Sequence, residues 1–320
     1  MTMIEAWARA EAIGRRQHGV VTAKQLEGCG LAREAMRWRV ERRQLVRVFV
    51  GVYCFPAVRP TWEQTAQAAL LWLGDDAALS HASAASLFCL DGFKRRPSML
   101  DLIVPRNGVS SRRAKSLPGN VVLHRSRTAF ATTRVAGFRV TDLARTVMDL
   151  ATTVPPARGL DDGLDDALDS AQRMYPGTDG ELERLYARAR SGRTGTRRLR
   201  RLLHERGGLA TDSPLEARFR RALRLGGLKA PRHQRPVFDA RGYIVRVDFI
   251  WPDERVVVHV DGYEFHQQRT QFERDREVAN RLTAKLHLSI WVTSRGLKES
   301  HWRDALKVAL RERAPQLVLL

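Results

Sequence analysis

Residues 243–262 read YIVRVDFI, WPDE and RVVVHVDG, two β-branched runs on either side of a short polar turn, and this restricts the segment to a pair of adjacent strands. In the first strand, period-two alternation puts Val245, Val247 and Phe249 on one face and Ile244, Arg246 and Asp248 on the other. In the second, Val257, His259 and Asp261 share a face, and Asp261 stands where strand gives way to loop. A carboxylate inside an apolar strand is costly unless something neutralises it. Two of them on neighbouring strands can meet at one sheet edge. Such oxygen ligands suit a hard divalent cation, Mg²⁺ or Mn²⁺, which holds a phosphate and activates water. His266, a short step past Asp261, is placed to act as acid, base or ligand. Glu216, on the helix SPLEARFRRALRLGG that opens this part of the chain, offers a further carboxylate.

Around this hairpin the expected order is helix, a strand at QRPVF, the two strands, a helix through QQRTQFERDREVANRLTAK, the strand HLSIWVTS and a last helix from about 299. That order predicts an α/β domain over residues 212–320. Each of its site residues also has a purely structural reading. Ser213, Pro214 and Glu216 fit a capping box with proline at the first helical position. Asp261 precedes Gly262 and fits a turn. Asp248 can pair with Arg246 or Arg276, His259 can fill a strand face or bind metal, and Asp275 has only a supporting place near the site.

The charge of the whole chain narrows the partners. Among 320 residues, 55 Lys and Arg stand against 35 Asp and Glu, a formal net charge of +20. Such an excess attracts polyanions and releases counterions on phosphate binding, so DNA is the expected partner. The three cysteines, Cys29, Cys54 and Cys89, are far apart and contain no CxxC pair, which argues against a disulfide framework or a zinc knuckle. No apolar run reaches the roughly 18 residues of a membrane span, and the start MTMIEAWARAEAIGRR lacks an apolar signal core, so a cytoplasmic protein without membrane contact is expected.

Upstream, three further segments are distinguishable. Residues 1–58 read as three helices and a hairpin. TAKQLEGCG opens at Gly19 and Thr22 and stops at Gly28 and Gly30, while LAREAMRWRVERRQ repeats apolar positions at helical spacing, Leu31, Ala35 and Trp38 and again Ala32, Met36 and Val40. Its other face carries Arg33, Arg37, Arg42 and Arg43, which fits a winged helix-turn-helix with a basic third helix directed at a major groove. Residues 61–152 read as a mixed α/β unit, with strands at MLDLIVP and VVLH and a helix TDLARTVMDLA capped by Thr141 or Asp142. His81 and His124 within it have no carboxylate or cysteine at ligand spacing and are expected to be structural. Residues 155–211 read as a connector: GLDDGLDDALDSA forms an acidic helix, and a dense arginine run including Arg197 and Arg198 can track phosphates.

At both ends these residues carry a resemblance. SPLEARF, VRVDFIWPDERVVVHVDGYEFH, QFERDRE and a strand ending in WVT resemble the very-short-patch-repair type of PD-(D/E)xK endonuclease domain. The resemblance implies a restriction-endonuclease-like core with a central mixed sheet and metal-dependent hydrolysis of DNA phosphodiesters. It makes Asp248 the metal-binding Asp, Glu216 the helix carboxylate, Asp261 the residue in the Lys position and His266 the active-site histidine. His259 departs from the pattern, standing where most relatives have Glu. GVVTAKQLEGCGLAREAMRWRVERRQLVRVFVGVYCF, SHASAASLF and RVTDLARTVMDLA resemble the AbiEi-type antitoxins. That resemblance implies DNA binding by a regulator, with a toxin-like protein as a possible partner. Two functions therefore stand side by side: a DNA-binding, divalent-metal-dependent endonuclease of repair, restriction or phage defence, and a non-catalytic repressor retaining a degenerate nuclease fold.

Overall fold

The computed structural model describes residues 2–56, 60–109, 111–155, 163–175, 177, 180–181, 184, 195–206, 213–261, 269–299 and 301–314; at 111–112, 204–206, 214, 261, 269–275 and 298 it describes backbone alone. The chain divides into two units, one of Met1–Pro155 with Met174–Gly208, the other of Pro156–Arg173 with Leu209–Leu320. Both mix helices with sheet.

The first unit opens with α1 (Met3–Arg16), β1 (Val20–Thr22), α2 (Ala23–Gly28), α3 (Arg33–Glu41), β2 (Val46–Phe49) and β3 (Val52–Cys54). Thr22 starts α2 through a reciprocal capping box: Gln25 N donates to Thr22 Oγ1 at 3.1 Å and Thr22 N to Gln25 Oε1 at 2.9 Å. The three strands form one sheet in the order β1-β3-β2, and the hairpin turns through Gly51 at φ 75°, a conformation that favours glycine. Ala6, Ala10, Val21, Leu26, Leu31, Met36 and Leu45 pack under the helices. This is a winged-helix arrangement, as the helix and turn signals predict. One detail differs: Trp38, expected on the packed face of α3, is 45% exposed, while Arg39 is buried. Arg39 turns inward because its guanidinium lies over the Trp7 ring at 4.5 Å and donates to Ala35 O at 3.3 Å.

The unit continues with α4 (Trp62–Leu73), β4 (Ala78–Leu79), α5 (His81–Leu87), β5 (Leu100–Pro105), α6 (Ser111–Lys115), β6 (Val121–Ser126), β7 (Thr132–Val135), β8 (Phe138–Thr141) and α7 (Leu143–Thr153). Its five strands run in the order β6-β5-β4-β8-β7. The β7–β8 hairpin has no clear sequence signal; its two-residue turn places Ala136 and Gly137 at φ 49° and 85°, the left-handed pair of a primed turn. Of the two caps considered for α7, Asp142 is the one used, accepting from Arg145 N at 2.7 Å. Arg145 Nε then donates to both oxygens of Asp149 at 2.9 Å, and its Nη2 to Ser126 Oγ at 3.2 Å, so Arg145 and Asp149 of TDLARTVMDLA are buried in structural bonds.

The second unit holds α10 (Pro214–Leu225), β9 (Arg232–Asp239), β10 (Gly242–Trp251), β11 (Val256–Asp261), α11 (Arg269–Ala284), β12 (Leu288–Thr293) and α12 (His301–Glu312), preceded in the chain by α8 (Gly163–Met174) and by the first unit's α9 (Thr196–Arg206). Strand order is β12-β11-β10-β9; β9, β10 and β11 are antiparallel and β12 is parallel to β11. Phe219, Phe249, Trp251, Val258 and Trp302 pack α10 and α12 on one face, while Val247, Ile250, Val257 and Leu282 pack α11 on the other. Val247 and Phe249, expected on one face, thus belong to opposite clusters. The ladder between β10 and β11 pairs Phe249 with Val258, and one residue before Phe249 on β10 the Asp248 side chain takes the Val260 N–H.

The segment read as a single connector divides between the units. The acidic helix α8 packs on α10, where Arg221 Nε meets Asp165 at 2.9 Å, Arg221 Nη2 meets Asp166 at 2.9 Å and Arg220 reaches Asp169 at 3.3 Å. Burial pushes the Asp166 carboxyl above its ordinary value despite Arg221 beside it. Burial also opposes the Arg221 charge, but Asp165 and Asp166 hold its pKa above the usual arginine value.

Candidate active site and nucleic-acid interface

The carboxylates of Glu216 and Asp248 meet at one amide. Glu216 sits in the first turn of α10, where Ser213 Oγ accepts from its N–H at 3.1 Å. The cap reading is therefore correct for the backbone, but the side chain points at β9: Glu216 Oε2 accepts from Gln234 Nε2 at 2.9 Å and lies 2.9 Å from His233 Nε2. Gln234 Nε2 also donates to Asp248 Oδ1 at 3.3 Å, and Asp248 Oδ2 accepts from Val260 N at 2.8 Å. Gln234 stands across from Asp248, between the Val247–Arg235 and Phe249–His233 pairs, at φ 49°. Glu216 is only 5% exposed, so a nearly buried carboxylate is answered by charge-compatible donors.

Asp261 closes β11 opposite Thr293, next to the Val260 N–H that binds Asp248; its side chain lies outside the described residues. His266 lies outside them altogether, and of Asp275 only the place on α11 is described. His259 is buried and stacks on Trp291, its register partner on β12, with ring centroids 4.3 Å apart. The structure thus brings Glu216 and Asp248 together. It adds Gln234 and His233, which sequence reading passed over as part of a linking strand. The available signal was His-Gln, two polar side chains inside a strand ahead of Arg-Pro.

Could these residues hold a divalent cation? Two hard carboxylate oxygens converge on a single point now held by an amide N–H, a position that favours positive charge, and the amide can also present its carbonyl oxygen. Carboxylate oxygens are the donors that Mg²⁺ or Mn²⁺ takes, and Glu216 and Asp248 are the residues that would hold such an ion.

The basic surface of the winged helix is built on α3 and the turn that follows it. Arg33, Arg37, Arg42 and Arg43 are all exposed. Arg33 Nε pairs with Glu27 at 3.2 Å, a solvent-exposed contact of the weak kind. The Arg42 guanidinium lies over the exposed Trp38 ring at 5.2 Å. Of the two connector arginines, Arg197 is exposed on α9, but Arg198 Nη1 donates to Val154 O at 2.6 Å and ties α9 to the end of α7. Among the described residues, no helix is long and apolar enough to cross a membrane.

Three likenesses to known proteins accompany this geometry. The uncharacterized proteins Rv2248 and MT2308 of Mycobacterium tuberculosis, from strains H37Rv and CDC 1551, are each 29% identical over 246 residues, covering 77% of this chain and 84% of theirs. The crystal structure of the RV2827C protein from the same species is similar at 18% identity and a TM-score of 0.34, covering 73% of this chain and 88% of that one. Residues 10–56, the span from the middle of α1 to just past the wing, match the family of AbiEi antitoxins described as transcriptional regulators.

Proposed function

We propose that the protein is a DNA-binding regulator of AbiEi type whose C-terminal unit hydrolyses phosphodiester bonds with a divalent metal ion. The observation that carries the second half is the meeting of Glu216 and Asp248 on the Gln234 amide, beside the end of β11. Bound there, Mg²⁺ or Mn²⁺ supplies Lewis-acid charge to a phosphate and to an attacking water. The chain's own residues do the rest. The Val260 N–H fixes the Asp248 rotamer, the Gln234 amide holds both carboxylates together until an ion replaces its N–H, and the burial of Glu216 keeps water from competing for it. Asp261 is a further oxygen donor and His266 a proton carrier in this reading. Arg33, Arg37, Arg42 and Arg43 hold the duplex.

Supercoiled plasmid incubated with the protein and Mg²⁺ or Mn²⁺ tests it. The protein is expected to cut, and Asp248→Asn to cut at least about 100-fold more slowly. Equal cutting by both, or none by the unaltered protein with any divalent ion, removes the nuclease.

A second reading, a non-catalytic repressor or antitoxin, is favoured by the regulator match at residues 10–56 and by His259 packed on Trp291 where an acid is expected. It requires binding to DNA upstream of its own reading frame without metal, and no cleavage. A toxin-like protein is the partner it implies.

A further inference from the structure

Within the first unit two histidines and an aspartate converge. His124 Nε2 lies 2.9 Å from Asp101 Oδ1. The His81 ring lies flat on the His124 ring, with centroids 3.7 Å apart and planes at 21°. One ligand atom from each of His81, Asp101 and His124 lies within 4.8 Å of the others. Linear spacing puts no carboxylate at ligand distance from either histidine, but the fold brings Asp101 beside His124. The sheet supplies what linear spacing does not.

The convergence follows from the topology. β5 and β6 are parallel, with Asp101 opposite Val122 and Ile103 opposite His124, so Asp101 and His124 are diagonal neighbours on one face. β4 flanks β5 on its other side, and the chain leaves it through Ser80 directly into His81. Asp101 is pinned at both backbone groups: Ser80 N donates to its carbonyl at 3.0 Å, and its own N–H donates to Ser83 Oγ at 2.8 Å. His81 holds φ at 46°, a left-handed conformation unfavourable for histidine. Its Nδ1 lies 2.9 Å from Ser80 Oγ, the kind of contact on the second ring nitrogen that fixes the orientation of metal-ligating imidazoles. His81 is 4% exposed, whereas the side chains of His124 and Asp101 are 24% and 13% exposed, so the cluster opens to one side.

The three side chains, drawn from α5, β5 and β6, form a cluster of donors and not a single hydrogen-bonded pair. Two imidazole nitrogens and one carboxylate oxygen form a borderline donor set, suited to zinc and its transition-metal neighbours and poorly suited to Mg²⁺. We propose that His81, Asp101 and His124 form a zinc-class divalent-metal site that ties the start of α5 to strands β5 and β6. Three protein ligands leave a fourth position for water or an outside ligand. Metal binding there adds to the stability of the fold that builds the site.

The test uses tag-free, chelator-stripped full-length protein titrated with Zn²⁺ by calorimetry and with Co²⁺ by visible absorption. One ion per chain is expected at this site, with a rise in melting temperature. Asp101→Asn, which keeps the side chain's size, and His124→Gln are each expected to weaken binding by about 100-fold or more, since even outer-shell losses cost 10–100-fold. Asp248→Asn leaves this affinity unchanged, which separates the site from the proposed nuclease centre. Absence of uptake, or equally tight uptake by both variants, overturns the proposal. Should His124→Gln fail to fold, Asp101→Asn decides.

Discussion

Asp248 has two jobs that substitution can separate. Its Oδ2 accepts the Val260 N–H at the point where β10 and β11 part, and its Oδ1 meets the Gln234 amide. Asp248→Ala removes an acceptor from a buried strand N–H and is expected to lower unfolding free energy by about 1–3 kcal/mol in denaturant titration. Asp248→Asn keeps a carbonyl oxygen for that N–H and is expected to stay within about 0.5 kcal/mol of the parent while abolishing metal-dependent cutting. A large stability loss in the asparagine variant contradicts this division. The carboxylate itself was legible from the cost of an acid in an apolar strand. Its partner Gln234 was not, because an amide inside a polar strand carries no such penalty signal.

Between elements, the α8–α10 contact is the clearest case of charge under burial. Arg221 is 1% exposed and faces both Asp165 and Asp166. Arg221→Met leaves two acids without their main partner, and about 3 kcal/mol of stability should be lost, since Arg224 still reaches Asp165 at 3.1 Å. Asp166 behaves differently, because its folded pKa is raised above the ordinary 3.8. A raised acid contributes stability below its unfolded pKa, and this is lost as pH rises through the folded value. At neutral pH Asp166→Asn should therefore cost under about 0.5 kcal/mol, and it should flatten the acid side of the stability profile. Thermal melts of both variants across pH check the pair. The sequence marked α8 as an acidic helix, but which arginines it meets depends on residues some fifty positions later in the chain.

Over the whole molecule, a net charge of +20 predicts steeply salt-dependent DNA binding. In the proposed reading the exposed arginines of α3 and its C-terminal turn are expected to contribute to that slope, and Arg198, tied to Val154 O, is not. Arg37→Ala with Arg42→Ala is expected to reduce the slope of log affinity against log salt by about 2, independent of DNA sequence. Arg198→Ala should leave the slope unchanged and lower stability by about 1–3 kcal/mol, because it breaks a charged bond to Val154 O. Fluorescence anisotropy at several salt concentrations separates the two outcomes.

Periodicity, caps and charge, which are local properties, were enough to place the winged helix, the helices and strands of the C-terminal unit and the acid on β10. They could not tell which side chains meet across strands. Glu216 reaches β9 because α10 packs over the sheet, and Asp101 reaches His124 because two parallel strands align in one register. Packing also reversed one local expectation, leaving Trp38 exposed on α3 while Arg39 is buried against Trp7. In each case the deciding contact joins residues far apart in sequence, and only the packed fold sets their distance.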